Sequence, residues 1–317
     1  MLTRRAFLVE PKRFEIRTLD VNPGPGQVLV KVAACGLCNW EQNHWHGLLG
    51  QCPQNLGHEW GGTVIAVGDG VMRLQPGDNV TALPDSMTGF SDYVVTKAPQ
   101  CFKLAPGVAP EDALGEPLKC VVTVLRAASP QAGDYGVVVG CGPMGLWCIQ
   151  GLAGSSLAAL IAVDVSPDKL SLAQHYGATH TVNPRAEDAV ACIGAITGGH
   201  MADFVIEGTG LPGVAGQVAG YLRTGRGRFI MMSSHERPAH EFDWRPFQDK
   251  GAIISVAHPG YSEDQLDDTR RAVSLINKGT FRMQGIVSHR FPLERVQEAF
   301  ETLEHKPADY VKGIVVP

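Results

Sequence analysis

Residues 137–146 read Val-Val-Val-Gly-Cys-Gly-Pro-Met-Gly-Leu, a Gly-x-Gly-x-x-Gly set directly between an apolar strand and the start of a helix. No other stretch narrows the possible folds as much. Gly140 permits a tight turn, Gly142 lets backbone approach a pyrophosphate, and Gly145 lets the helix pack on the strand. Unpaired amides at the helix start supply anion affinity, so Gly140, Gly142, Pro143, Met144 and Gly145 form a candidate cofactor loop. A second apolar strand follows and ends in Asp164, 19 positions after Gly145. An acid there accepts hydrogen bonds from the adenosine ribose and repels a 2′-phosphate. No Arg or Lys stands beside it before Lys169, so the pattern predicts NAD rather than NADP. Glycines alone make a turn and an aspartate alone opens one; the order strand, loop, helix, strand, acid is what points to a dinucleotide.

Around that loop the pattern alternates. Strands are predicted over 137–139, 159–163, 179–183 and 252–257, with helices over 144–153 and 168–175, which argues for a doubly wound parallel sheet covered on both faces. Ser166 and Pro167 supply an N-cap and a first-turn proline, and Gly177 a helix stop. Ser262 followed by Gln265 reads as a capping box for a helix running to about Lys278. The first 105 or so residues differ. Short strands at 28–34, 62–67, 79–83 and 92–96 are cut by Gly, Pro and Asn, as in a small barrel-like β domain. A helix over 292–304 and a strand over 310–316 are expected to return to that first domain.

The 317 residues, 44% apolar with a net charge of -5, fit a soluble enzyme of one large or two ordinary domains. The charge is spread, and no basic run tracks phosphates, which excludes nucleic acid as a partner. Nothing approaches the roughly 18 apolar residues of a membrane span, and the opening Met-Leu-Thr-Arg-Arg meets charge too early for a signal peptide. The expectation is a cytoplasmic protein with no membrane partner. Its eight cysteines then read as thiols or metal ligands, with Cys148 and Cys192 as small buried residues in apolar helices.

Two short motifs supply metal-binding chemistry: Cys35-Gly36-Leu37-Cys38-Asn39-Trp40-Glu41 after one strand and Gly57-His58-Glu59 before another. A catalytic zinc takes thiolate, imidazole and carboxylate ligands and leaves a position open. Cys38, His58 and Glu59 offer three. Glu116, in Gly115-Glu116-Pro117-Leu118 at a helix start with Pro117 in the first helical position, offers a fourth, directly or through water. Each has a plainer reading. Cys35 and Cys38 form a C-x-x-C that also suits a redox pair or half a zinc ribbon, though no second C-x-x-C completes a ribbon. His58 suits an interior histidine, and Glu116 an acid favoured by the helix dipole. Their joint appearance ahead of a dinucleotide loop favours the metal.

The order Cys-Gly-Leu-Cys, Gly-His-Glu, Glu-Pro-Leu, Gly-Cys-Gly-Pro-Met-Gly resembles the medium-chain dehydrogenase/reductase family, most closely its sorbitol, threonine and sugar dehydrogenase branch, over nearly the whole chain and down to Ser288-His289-Arg290-Phe291-Pro292-Leu293. The resemblance implies an α/β fold with a GroES-like β-barrel catalytic domain over 1–120 and 260–317 and a Rossmann domain over 121–259. It makes Cys38 and His58 zinc ligands, with Glu59 and Glu116 sharing the remaining coordination. Glu41 matches the acid that holds the imidazole in its ligating tautomer. Ser233 and the segment 255–258 match the lining of the nicotinamide, and Cys120 lies one turn beyond Glu116.

Two departures stand out. Between Gly77 and Phe90 the cysteine-rich lobe that carries a structural zinc in many relatives is missing, so one catalytic zinc is expected and no structural one. Trp40 stands where the family has Ser or Thr to pass a proton outward, and an indole N–H donates without accepting. Water, Glu41 or His44 must take over, or the substrate differs. Trp40, His44, Trp45 and His46 offer flat faces and polar groups suited to a polyhydroxylated ring, or serve as packing. The resemblance thus implies a zinc-dependent oxidoreductase moving hydride between a secondary alcohol (polyol, cyclitol or sugar) and NAD, as a homodimer or homotetramer. The alternatives are a zinc-free reductase of enones or quinones and a nucleotide-binding protein without turnover.

Overall fold

The computed structural model describes residues 1–211, 213–233 and 243–317. Gly and Pro break the N-terminal segment into short strands: β1 (Leu2–Glu10), β2 (Arg13–Asp20), β3 (Gln27–Gly36), β4 (Gln54–Asn55), β5 (Glu59–Val67), β6 (Asn79–Ala82), β7 (Tyr93–Lys97) and β8 (Cys101–Lys103), with α1 (Asn39–Trp45) between β3 and β4. Helix α2 (Gly115–Ala128) leads into the alternating region. There the order is β9 (Tyr135–Val139), α3 (Pro143–Leu152), β10 (Ala159–Val163), α4 (Pro167–His175), β11 (His180–Val182), α5 (Ala189–Ile196) and β12 (Phe204–Glu207), then α6 (Val214–Gln217), β13 (Arg228–Met231), α7 (Arg245–Asp249) and β14 (Ile253–Val256). Last come α8 (Gln265–Asn277), β15 (Val287–Pro292), α9 (Val296–His305) and β16 (Lys312–Val316).

These elements form two compact units, 1–119 with 264–317, and 120–263. In the first, β15-β16-β3-β5-β6-β8 make one sheet, with β7 also pairing β3, and β2-β1-β4 make a second. Strand β16 does return, pairing antiparallel with the end of β3 through Ile314 opposite Gly36 and Val315 opposite Cys35. Trp45, Trp60, Phe90 and Phe300 fill the core of this unit. In the second, every strand pair is parallel and the order is β11-β10-β9-β12-β13-β14. Its inner strands β9, β10 and β12 are buried, which is why they read as continuous apolar runs, whereas the edge strand β14 is largely exposed. Strand order reverses beside β9, the place where open α/β sheets hold ligands at their carboxyl ends.

Ser166 caps α4 as the sequence predicts, accepting from the Lys169 amide at 3.4 Å. The C-terminal elements differ in three places. The cap of α8 is Asp264, which accepts from the Asp267 amide at 3.0 Å, and not Ser262, because the helix starts one residue after a side chain that caps as well as serine does. Residues 287–292, outside the predicted strands, pair parallel with β16, and the helix expected over 292–304 begins only at Val296. Pro117 is the third residue of α2 and not its first. Among the described residues no helix is long and apolar enough to cross a membrane.

Candidate metal centre and dinucleotide crevice

Strand β3 ends at Gly36 and α1 begins after Cys38, so the thiol sits at the strand-to-helix corner. Gly36 lies opposite Glu59, the first residue of β5. A Cβ built on Gly36 would fall 2.0 Å from Glu59 Oε2, so only glycine leaves room for that carboxylate to lie across the strand end. Cys38, His58 and Glu59 each bring a ligand atom within 4.8 Å of the others. Helix α1 buries Glu41, His44 and Trp45 on one face. Glu41, fully buried, accepts from the Gly57 amide and from His58 Nδ1, both at 2.7 Å. With Nδ1 donating to a carboxylate, His58 Nε2 is the nitrogen left for a metal, which would take the place of its proton. Glu116 Oε2 lies 3.7 Å from that nitrogen.

Two buried lysines complete the cluster, and neither was singled out from the sequence. Lys312 Nζ meets Glu59 Oε2 at 2.5 Å and donates to the Leu37 carbonyl at 3.0 Å. Lys119 Nζ meets Glu116 Oε1 at 3.0 Å from the next turn of α2. The second pair has the i, i+3 spacing that a sequence reveals. The first joins residues far apart in the chain, and only an isolated lysine in an apolar strand hints at it.

Electrostatics tie these groups together. Burial opposes charge on His58, but Glu41, the Cys38 thiol and Glu116 outweigh it and raise the imidazole pKa well above its ordinary value. Burial and then Glu59 push the Cys38 thiol up, against the pull of His58 and Lys312. Burial disfavours the Lys312 ammonium, yet Glu59 and Cys38 raise its pKa. Three carboxylates thus face two ammoniums and an imidazolium. Replacing the thiol and imidazole protons by one divalent cation leaves the same total among these groups, so the donor set suits a metal such as zinc without an unbalanced buried charge.

The remaining aromatic candidates separate. Trp40 is half-exposed, its ring edge-on to His44 at 4.7 Å and to His58 at 5.6 Å. His44 Nδ1 meets Gln54 Oε1 at 2.8 Å, which fixes the proton on Nδ1 and leaves Nε2 as an acceptor, buried without a partner among the described residues. Trp45 instead belongs to the core against Phe300, and His46 faces Glu304 at 3.4 Å. Cys35 points into the same core, so Cys35 and Cys38 serve opposite demands. Cys192 is half-exposed, its thiol on Glu187, because it lies on the outer side of α5, whereas Cys148 is buried as expected. Cys120 is half-buried on α2.

In the second unit Gly140 follows β9 with φ +91°, Gly142 precedes α3 with open space where a Cβ would stand, and Pro143 and Met144 begin the helix. A Cβ on Gly145 would fall 1.9 Å from the Gly140 carbonyl oxygen, so the close helix-to-strand packing needs glycine there. Asp164, just beyond β10, accepts from the Cys141 amide at 2.7 Å and the Ser166 amide at 2.8 Å, which fixes its carboxylate beside the loop with lone pairs to spare. Ser233, beyond β13, donates its hydroxyl to Glu207 at the end of β12. Ser255 lies on the edge strand β14, and exposed His258 accepts from the Gly260 amide at 3.1 Å.

Two family models match the chain. Residues 24–109 match the alcohol dehydrogenase GroES-like domain and residues 143–277 the zinc-binding dehydrogenase domain. The L-threonine 3-dehydrogenase of Bacillus licheniformis is 31% identical over 87% of this chain and 88% of its own length. The erythritol/L-threitol dehydrogenase of Mycolicibacterium smegmatis is 30% identical over 92% and 91%. The crystal structure of 2R,3R-butanediol dehydrogenase from Bacillus subtilis superposes with a TM-score of 0.86 at 27% identity, covering 99% of both chains.

Proposed function

Because the chain belongs to the zinc-dependent alcohol and polyol dehydrogenase branch of the medium-chain family, and so to a family of oxidoreductases, we propose that it moves hydride between NAD and a secondary alcohol that carries further hydroxyls. The convergence of Cys38, His58 and Glu59 carries this reading, with one zinc per chain held by these three and by Glu116, directly or through water. Zinc bound there supplies Lewis acidity that lowers the pKa of a hydroxyl, and NAD supplies the hydride acceptor.

The protein's own groups do the rest. Glu41 holds the His58 ring in its ligating tautomer, and Lys312 and Lys119 hold two ligand carboxylates in place by ion pairs. Trp40 covers this corner with a donor that cannot relay a proton. His44 Nε2, the acceptor beside it, and Glu41 Oε2 are both sealed from solvent, and Glu41 Oε1 is taken by His58 and Gly57. A second hydroxyl on the substrate is then the economical bridge from the reacting oxygen to water. Polyols, cyclitols or sugars are therefore expected to be oxidised with higher kcat/KM than ethanol or benzyl alcohol. Trp40→Ser is expected to narrow that gap by improving simple alcohols more than polyols. Ratios of kcat/KM on the zinc-loaded protein measure it. Wild-type preference for an unsubstituted alcohol would remove the polyol assignment and leave the dehydrogenase.

We also propose that the protein is a homo-oligomer, a dimer or a tetramer, in which β14 of two copies pair. Strand β14 ends its sheet, no described strand pairs its outer edge, and Ile253, Ile254 and Val256 are 36%, 37% and 68% exposed. An apolar unpaired edge is a template for another strand, and a lysine on it blocks pairing. Sedimentation is expected to give an oligomer for the wild type and a smaller species for Ile254→Lys. A monomeric wild type at micromolar concentration would refute the edge pairing.

A further inference from the structure

Glu207 is fully buried at the carboxyl end of β12, beside the point where strand order reverses. In register it lies opposite Val139, the residue before the first glycine of the nucleotide loop. Its Oε1 accepts from the Thr209 amide at 2.6 Å, the Thr209 hydroxyl at 2.5 Å and the Gly210 amide at 3.3 Å. Its Oε2 accepts from the Ser233 hydroxyl. Its main-chain oxygen accepts from the Met232 and Ser233 amides at 2.9 and 3.2 Å. Four donors from the described residues meet this one side chain, and a carboxylate offers acceptors for all of them. One residue therefore ties the loop after β12 to the end of β13. The tied loop packs on the glycine motif, since a Cβ on Gly140 would meet Thr209 Cγ2 at 3.0 Å.

A dinucleotide laid along this edge has its pyrophosphate at the start of α3 and its adenosine ribose toward Asp164, beyond β10. Its other half must then extend the opposite way, over the ends of β12 and β13. We infer that Glu207 is a positioning residue for the nicotinamide riboside half of the cofactor: by holding Thr209 and Ser233 together it sets the surface on which that half rests, while the adenosine half is held without it. This rests on the reading of residues 140–145 and Asp164 as the dinucleotide site.

The test compares NADH with ADP-ribose, which lacks the nicotinamide, by calorimetry on the full-length protein with no substrate present. Glu207→Ala is expected to leave the Kd of ADP-ribose within about twofold and to weaken NADH about tenfold or more, the scale of losing hydrogen bonds to a charged group. Glu207→Gln keeps the shape and part of the acceptor capacity, and is expected to recover part of the difference. Should Glu207→Ala fail to fold, Ser233→Ala, which removes the hydroxyl bonded to Glu207 and leaves the main-chain bonds in place, is expected to weaken NADH selectively in the same direction. Equal weakening of both ligands, or of neither, in a folded variant overturns the positioning role while the cofactor site stands. A wild type that binds neither ligand overturns the site itself, and this inference with it.

Discussion

Cys38→Ser is expected to abolish metal binding and turnover while leaving the affinity for NADH unchanged. A serine hydroxyl keeps its proton at neutral pH, so the substitution removes the one anionic sulfur from the cluster of Cys38, His58 and Glu59. The loss should exceed the roughly 10–100-fold that removing an outer partner of a metal ligand costs, which is the range expected for Glu41→Gln. Cofactor affinity is the control because the glycine loop belongs to the other compact unit. Elemental analysis of wild type purified without added metal should find one zinc per chain. Two tightly held ions, or none with full activity, would sink the single-site assignment, and a metal-free but active protein would point to a zinc-free reductase.

Asp164→Ser is expected to reduce the preference for NAD over NADP by about 10–100-fold in kcat/KM. Two effects act together. The carboxylate is a charged acceptor for ribose hydroxyls, worth about 1.5–3 kcal/mol per bond, and it repels a 2′-phosphate. Its orientation is fixed by the Cys141 and Ser166 amides, so the charge stands beside the glycine loop and does not swing away. A serine keeps a small polar side chain at the turn, which separates the electrostatic loss from a collapse of the loop. Wild-type preference for NADP would contradict the assignment outright.

The dinucleotide sheet was legible because its signals are local. The glycine spacing, the apolar strands and the acid after β10 all fall within one short stretch, and each has one physical purpose there. The gathering of Cys38, His58 and Glu59 was legible as two motifs of suitable donors. Lys312 was not, since its pairing with Glu59 depends on β16 lying beside β3, a contact no local pattern encodes. Glu207 was missed for a related reason. It reads as the polar end of an apolar strand, and only the fold shows four donors converging on it. Trp40 and Trp45 were indistinguishable as aromatics near a motif. The pitch of α1 sends one inward and the other outward, because residues five apart along a helix do not share a face.

The pairing of Lys312 with Glu59 also bears on how the molecule is made. Residues 120–263 separate the two stretches of the unit that holds the metal-type donors. During synthesis Cys38, His58 and Glu59 emerge early, yet the cation that offsets Glu59 arrives only with β16. Until then a carboxylate destined for burial has no counter-charge and favours staying in water. Closing so long an excursion costs little more entropy than closing a shorter one, because the cost grows only with the logarithm of length, but the search is slow when contacts are distant in sequence. A chain in which β16 has not yet paired with β3 therefore leaves Glu59 without this counter-charge.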